Sequence, residues 1–115
     1  ILGNGRQKRS FLLVDECIDG ILYAMKKSKD DINIFNIGSK DQINITRVAE
    51  IVVEEMGLDS VKFVYTGGRR GWRGDAISVW LSIEKIEKLG WKPKHGSEES
   101  VRIAVRRILK SDKGE

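Results

Sequence analysis

The sequence predicts one small domain of the α/β class, in the mixed α+β sense, with about four helices and a few short strands. Its 115 residues allow one ordinary domain, because domains typically run to about 100–200 residues. Four segments place apolar residues at helical spacing, and three shorter runs are rich in β-branched or aromatic residues. These segments lack the regular strand and helix alternation of a doubly wound sheet, which favours the mixed class.

The first two helices have the clearest patterns. Apolar residues recur at helical spacing from Asp15 to about Ser28, and a carboxylate at the start suits an N-cap, so we expect Asp15 to cap this helix. A second helix is predicted to begin after Asn44, another good N-cap residue, and to end at Gly57, where a left-handed C-terminal cap favours glycine.

Two further helices follow in the second half of the chain. Ser82 is predicted to cap a short helix that ends at Gly90, because glycine is the usual residue after a helix C-terminus. Ser97 is predicted to cap the final helix, whose first turn carries Glu98 and Glu99, the charge sign that suits a helix N-terminus.

Three short runs have the composition of strands. Positions 32–37 are rich in β-branched and aromatic residues and stop at Gly38. Positions 61–65 alternate such residues with others and stop at Thr66-Gly67-Gly68. Positions 77–81 form a third, weaker candidate. We therefore expect about three short strands, with a loop over the glycine-rich and arginine-rich stretch before the third.

Composition excludes several classes of protein. With 40% hydrophobic and 33% charged residues, the chain can bury a core and is not a disordered tail. No apolar run approaches the roughly 18 residues of a membrane span, and a single cysteine, Cys17, cannot form an internal disulfide. We expect a cytoplasmic, membrane-free protein. Because the chain opens with Ile1 rather than Met, we also expect it to be a fragment.

The sequence contains no complete motif for binding a cofactor or a metal. Gly3-Asn4-Gly5 lacks the third glycine and the preceding strand of a dinucleotide fingerprint. Tyr23 and Lys27 have the spacing of a dehydrogenase Tyr-x-x-x-Lys pair, but an edge tyrosine and a helix-terminal lysine explain them better. His95 is the only histidine, so a zinc site lacks ligands. We assign no catalytic, cofactor-binding or metal-binding residue to this chain.

Two basic clusters are typical of phosphate binding. One is Gln7-Lys8-Arg9-Ser10-Phe11, and the other is Arg69-Arg70-Gly71-Trp72-Arg73-Gly74-Asp75. Arginine offers a planar fork of donors that matches phosphate geometry, and glycine lets the backbone approach an anion. A solvated basic surface is the simpler alternative, because charge runs commonly mean no more than that.

These clusters carry a resemblance to a known family. The shared motifs, in chain order, are Gly3-x-Gly5-x-Gln7-x-Arg9-x-Phe11-x-x-Val14-Asp15, Phe35-Asn36-Ile37-Gly38, Gly74-Asp75 and Lys85-x-x-x-Leu89-Gly90-Trp91-x-Pro93. In this order they resemble the C-terminal, substrate-binding part of the NAD-dependent nucleotide-sugar epimerases and dehydratases. These enzymes are extended short-chain dehydrogenase/reductases typified by UDP-glucose 4-epimerase.

The resemblance implies a division of labour in a longer parent enzyme. An absent N-terminal Rossmann domain would bind NAD and carry the catalytic residues, while residues 1–115 would form a domain that grips the nucleoside diphosphate of a UDP-sugar or another nucleotide sugar. The hydride would move between the sugar and NAD in that parent. The isolated chain is then expected to be inactive and to bind no cofactor, and the parent to share the family's common homodimer.

The resemblance also implies site residues. Arg9 falls on the family's diphosphate-binding arginine, Phe11 on an aromatic position near the nucleotide, and Asp75 on an acidic residue that hydrogen-bonds the ribose. The family's usual arginine position before Gly-Asp holds Trp72 here, so we expect Arg73, and after it Arg70, to reach the same phosphate.

Two other functions compete with a nucleotide-sugar domain. A nucleic-acid-binding module would use the arginine and glycine loop with Trp72 as a stacking base partner, and an interaction domain would bind neither ligand. The nucleotide base, the sugar, and the choice between epimerisation and dehydration are not encoded in these motifs.

Overall fold

The computed structural model describes residues 1–114 and places four helices and one two-stranded sheet in them. The elements, in chain order, are β1 (Lys8–Arg9), α1 (Val14–Lys27), β2 (Ile43–Asn44), α2 (Ile45–Met56), α3 (Glu84–Leu89) and α4 (Ser97–Lys113). Helices therefore dominate, and the predicted mixed class with four helices is confirmed. No helix among the described residues is both long enough and apolar enough to span a bilayer.

The predicted C-terminal glycine caps and one N-cap are confirmed. The Asn44 side chain accepts a hydrogen bond from the Arg47 amide at 2.7 Å, which satisfies one free donor of the first turn of α2. Gly57 and Gly90 end α2 and α3 with φ angles of 62° and 112°, in the left-handed region that glycine tolerates.

The other three N-cap predictions are wrong. α1 begins one residue before Asp15 without a side-chain cap, and α3 begins after Ile83 rather than directly after Ser82. Ser97 is the first residue of α4 instead of its cap, because its hydroxyl accepts a hydrogen bond from the Phe11 amide at 2.9 Å. At Ser97, a tertiary hydrogen bond therefore replaces the capping hydrogen bond that the local sequence predicts.

None of the three predicted strands forms as such. Positions 32–37 and 61–65 contain no strand, and the third run contributes only an isolated parallel bridge between Ser78 and Lys8. The strands that do form are shorter and lie elsewhere: β1 pairs antiparallel with β2, with Lys8 opposite Asn44. Strand composition predicts extended backbone, but pairing requires a partner that composition does not specify.

The main apolar core lies between α1 and α3. Ile86 is fully buried there, and Ala24, Ile83 and Trp91 are at most 8% exposed. The Trp91 indole donates a hydrogen bond to Asp19 at 3.0 Å, so its polar atom is satisfied at the edge of this core.

A second unit is the packed pair α2 and α4, which charged side chains link. Arg47 donates to Glu98 at 2.7 Å, and Arg102 donates to Glu55 at 2.8 Å. Hydrogen bonds from Arg47 and then Arg102 lower the pKa of Glu98 to about 2, since an adjacent cation favours the carboxylate. This pairing fixes α2, which begins directly after β2.

Candidate functional site

The short strand β1 is the point where three distant segments meet around Arg9. The Lys8 amide donates to the carbonyl of Ile77 at 3.0 Å, and the Ile45 amide donates to the carbonyl of Gln7 at 3.1 Å. The start of α2 and the segment after the arginine-rich loop are therefore both bonded to the backbone around Arg9.

Arg9 forms an ion pair with Asp75, the acidic end of the second basic cluster. The two side chains are 23% and 11% exposed. Asp75 also accepts a hydrogen bond from the Gly71 amide at 2.9 Å, and Arg9 donates to the carbonyl of Lys8 at 2.7 Å. The Gly71 hydrogen bond and then the positive charge of Arg9 lower the pKa of Asp75. Asp75 is thus ionised and oriented toward Arg9.

Arg9 lies at the wall of a cavity of about 320 Å³. The lining residues are Arg9, Ser10, Leu12, Ile37, Gly38, Ser39, Val79 and Leu81. The lining therefore combines one arginine and two serines with mainly apolar residues, a combination that suits an anionic group attached to a less polar body.

Arg70 and Arg73 lie together at a second cavity of about 580 Å³, which Trp72 also lines. All three side chains are exposed. Among residues 1–114, neither arginine pairs with a carboxylate. Asp75 therefore connects the arginine-rich loop to Arg9, while Arg70 and Arg73 line a different cavity.

Phe11 lies apart from both cavities. It is half-buried and lines an apolar groove of about 480 Å³ together with residues of α2 and α4, such as Val48 and Val101. Its amide bonds Ser97. The structure therefore places Phe11 beside the helix pair, two residues after Arg9, and its role toward a nucleotide stays a prediction.

Gln7 lies at the site, and the sequence analysis named it in a basic cluster and a motif without giving it a role. It is 2% exposed and donates to the carbonyl of Leu2 at 3.0 Å, beside Asp75 and Gly71. A Cβ on Gly3 would come within 2.4 Å of the Gln7 side-chain nitrogen and 3.0 Å of the Arg70 carbonyl oxygen, and the φ angle of 79° favours glycine there. The repeated Gly3-x-Gly5-x-Gln7 spacing was the available signal.

A polar cluster of Asp41 and the buried Ser39 and Ser97 supports the segment that follows Arg9. Asp41 accepts hydrogen bonds from the Ser97 amide at 2.7 Å and the Ser39 hydroxyl at 3.1 Å. Burial alone would raise the pKa of Asp41, but the hydrogen bonds from Ser97 and Ser39 outweigh it and hold the pKa below its usual value. Nothing in the local sequence indicates this cluster, because Ser97 lies 56 positions from Asp41.

Metal chemistry finds no support in the described part of the chain. Residues 1–114 contain no group of three His, Cys, Asp or Glu side chains placed to hold a metal ion. His95 and Glu16 lie 3.3 Å apart, as a contact between a loop and α1.

Comparison with known proteins gives a consistent set of relatives. No family model matches the chain. It is 35% identical over 103 residues to a GDP-mannose 3,5-epimerase of Arabidopsis thaliana, covering 88% of this chain and 25% of the relative. It is 29% identical to a putative UDP-glucose 4-epimerase of Methanocaldococcus jannaschii, covering 91% of this chain and 32% of the relative.

Solved structures agree with these relatives. UDP-glucose 4-epimerase of Thermotoga maritima with UDP-glucose matches with a TM-score of 0.79 and 29% identity, over 96% of this chain and 34% of that one. UDP-glucuronic acid 4-epimerase of Bacillus cereus, in complex with UDP-glucuronic acid and NAD, also has a TM-score of 0.79, with 25% identity, over 96% of this chain and 35% of that one. The chain spans about a quarter to a third of the length of its relatives. The resemblance to these epimerases and dehydratases is confirmed, and the nucleic-acid alternative finds no support among them.

Proposed function

We propose that this chain binds the nucleoside diphosphate of a nucleotide sugar. In sequence and fold it corresponds to the C-terminal portion of the extended short-chain dehydrogenase/reductases that include the nucleotide-sugar epimerases and dehydratases. One observation carries the proposal. Arg9, which lines a cavity together with Ser10 and Ser39, forms an ion pair with Asp75, 66 positions away.

The ion pair explains how Arg9 is kept ready for a phosphate. Without a ligand, Asp75 neutralises the guanidinium and limits the cost of its partial burial. A diphosphate carries more negative charge than one carboxylate and matches the guanidinium fork in a bidentate way. In the proposal, the diphosphate takes over Arg9, and Asp75, which Gly71 still orients, accepts a hydrogen bond from the ribose.

The loop arginines supply a second grip on the same ligand. Arg73, and after it Arg70, are exposed beside Asp75 with long, unpaired side chains, and a guanidinium on such a stem has a reach of several ångströms. We assign Arg73 before Arg70 to the phosphate. Trp72 lines the same cavity as these two arginines.

The rest of the enzyme lies in the part of the relatives that this chain does not match. There, we propose, a Rossmann domain binds NAD, which accepts and returns a hydride in the sugar reaction. The residues of this chain bind and orient the nucleotide end of the substrate and supply no acid or base to the sugar. The parent enzyme is expected to act as an epimerase or dehydratase, and as a homodimer.

An amide chemical-shift titration with UDP-glucose tests the binding site. We expect saturable shifts around Arg9, Arg73 and Asp75 that persist at moderate salt, because a built site binds its ligand through directed hydrogen bonds as well as charge. Diffuse shifts that disappear with salt would overturn the assignment and indicate a general attraction for polyanions.

A matched pair of variants makes the titration specific. Arg9→Gln should abolish the saturable shifts, while Arg6→Gln, which removes an exposed arginine of the same N-terminal segment, should leave them unchanged. Equal effects of the two substitutions would show that net charge, not the Arg9 site, governs binding.

A further inference from the structure

Four lysines line one pocket of about 360 Å³ at the end of α1 and along α3. They are Lys27, Lys29, Lys85 and Lys88, and this lysine pocket also contains Ser28 and Asn33. Asp30 is the single carboxylate in the lining. The pocket therefore concentrates positive charge in a chain whose net charge is +4.

The four lysines have no direct anionic partner in the described part of the chain. No ion pair within residues 1–114 involves any of them, and the carboxylate of Glu87 in α3 pairs with Lys40 instead. Like charges gathered in one place repel each other, and an anion placed between them relieves the repulsion. The lysine pocket therefore has the electrostatics of an anion-binding site.

Helix dipoles do not account for all of these lysines. Lys27 and Lys88 lie in the last turns of α1 and α3, and Lys29 follows the end of α1, where the negative end of a helix dipole attracts cations. Lys85 lies in the first turn of α3, where the dipole disfavours a cation. Its place in the lysine pocket needs another explanation.

Lys85 is also held in a fixed position. Its Nζ atom donates a hydrogen bond to the carbonyl of Ile34 at 2.7 Å and lies 4.8 Å from the centre of the Phe35 ring, within the range of a cation–π interaction. An ammonium group has three donors, so two remain after the bond to Ile34. Because the side chain is already ordered, it loses less conformational entropy when a ligand binds.

The size and chemistry of the lysine pocket favour a small ligand with several negative charges. Its volume is at the lower end of the range of about 300–1,000 Å³ that is typical of ligand pockets. Lysine binds phosphate as a point charge, and a chain of linked phosphates carries charge along its length. Such a chain can therefore contact several of the four ammonium groups at once.

We propose that the lysine pocket binds a short polyphosphate chain, either inorganic or as the tail of a nucleoside triphosphate. This inference goes beyond the proposed function, because the lysine pocket shares no lining residue with the Arg9 cavity. Asn33 and Phe35 line the lysine pocket, whereas Gly38 and Ser39 line the Arg9 cavity. The two sites thus lie at opposite ends of one short segment.

A chemical-shift titration of the 115-residue chain with sodium tripolyphosphate at constant ionic strength tests the proposal. We expect saturable shifts at the amides of Ser28, Asn33 and Lys88. A parallel titration with ATP distinguishes the two sources: equal affinities would identify the phosphate chain alone as the ligand, and tighter binding of ATP would identify a nucleotide. No saturable shift at these amides with either probe would overturn the proposal.

Two substitutions at helix ends form a matched pair. Lys88→Gln and Lys110→Gln each remove an exposed lysine from the last turn of a helix, α3 or α4, so both lose the same dipole interaction. Lys88→Gln should weaken tripolyphosphate binding at the lysine pocket about fivefold, whereas Lys110→Gln should leave it unchanged. Equal effects of the two substitutions would overturn the proposal and indicate a general attraction for polyanions.

Arg9→Gln separates this inference from the proposed function. It should remove the UDP-glucose shifts around Arg9 and leave the tripolyphosphate shifts at Ser28 and Asn33 unchanged. Loss of the tripolyphosphate shifts in Arg9→Gln would overturn a separate lysine site. Saturable tripolyphosphate binding at the lysine pocket, without UDP-glucose binding at Arg9, would support this inference and overturn the proposed function.

Discussion

Replacing Ile86 by alanine should destabilise this domain more than any single change on its surface. Ile86 is completely buried in the middle of α3, in contact with the core that also contains Ala24, Ile83 and Trp91. This core supports Ile37, which lines the Arg9 cavity, so its loss reaches the candidate site.

The expected cost follows from the atoms removed. The substitution deletes three carbon atoms, and at about 0.8 kcal/mol each their transfer to water costs about 2.4 kcal/mol. The cavity left behind raises the total to as much as about 5 kcal/mol, while Ile86→Val should cost only about 0.5–1.5 kcal/mol. The total free energy of unfolding of a domain of this size is about 6–17 kcal/mol, so Ile86→Ala removes a large share of it.

Urea unfolding followed by far-ultraviolet circular dichroism measures these changes. The matched control is Ile108→Ala, the same substitution in a helix at a position that is 61% exposed, where we expect a change within about 0.5 kcal/mol. The slope of the unfolding free energy against urea should stay constant. Equal losses for Ile86→Ala and Ile108→Ala would refute the account of the core.

Two other substitutions test the backbone and the helix pair. Gly5→Ala should destabilise the domain by more than Gly57→Ala in urea unfolding. Both glycines have positive φ, and placing alanine in that conformation costs about 1–2 kcal/mol. Only at Gly5 would the new Cβ also come within 2.2 Å of the Thr46 side chain. Glu98→Gln should flatten the acid-induced loss of thermal stability. The pKa of Glu98 is lowered to about 2, chiefly by Arg47. The ionised carboxylate therefore stabilises the fold at pH values above its ordinary pKa, and this stabilisation is lost as the pH falls from about 5 to 2.

Controls for these two tests come from the same chain. Gly57 has no atom within 4 Å of its would-be Cβ, so equal losses at the two glycines would contradict the packing around Gly5. For the acid test, Glu84→Gln changes an acidic residue that pairs with no base among the described residues. If Glu84→Gln flattens the pH dependence as much as Glu98→Gln, the link between α2 and α4 is not the cause.

Local signals in the sequence predicted the helices well and their starts less well. Asn44, Gly57 and Gly90 act within one turn of backbone, so their roles follow from residue type. Ser97 has the residue type of a helix cap, but its hydroxyl accepts a hydrogen bond from the Phe11 amide in a distant segment. A rule based on neighbouring residues does not include that tertiary contact.

The strands failed for a different reason. Positions 32–37 have strand composition and alternating burial, yet a strand forms only by pairing, and no segment of residues 1–114 pairs with them. At the site, arginine chemistry and motif order pointed to Arg9 and Asp75, which the structure brings into contact. The buried Gln7 and the cluster around Asp41 depend on tertiary packing, so residue type alone did not reveal them.

Isothermal titration of the chain with UDP-glucose, comparing Arg9→Gln with Arg6→Gln, tests the central claim most directly. Hydrogen bonds to a charged group are worth about 1.5–3 kcal/mol, so Arg9→Gln should weaken binding by about 10- to 150-fold. Arg6→Gln should change it less than about twofold, because the Arg6 side chain is exposed and forms no ion pair within residues 1–114. Unchanged affinity in Arg9→Gln, or an equal loss in both variants, would contradict the assignment of Arg9 to the diphosphate.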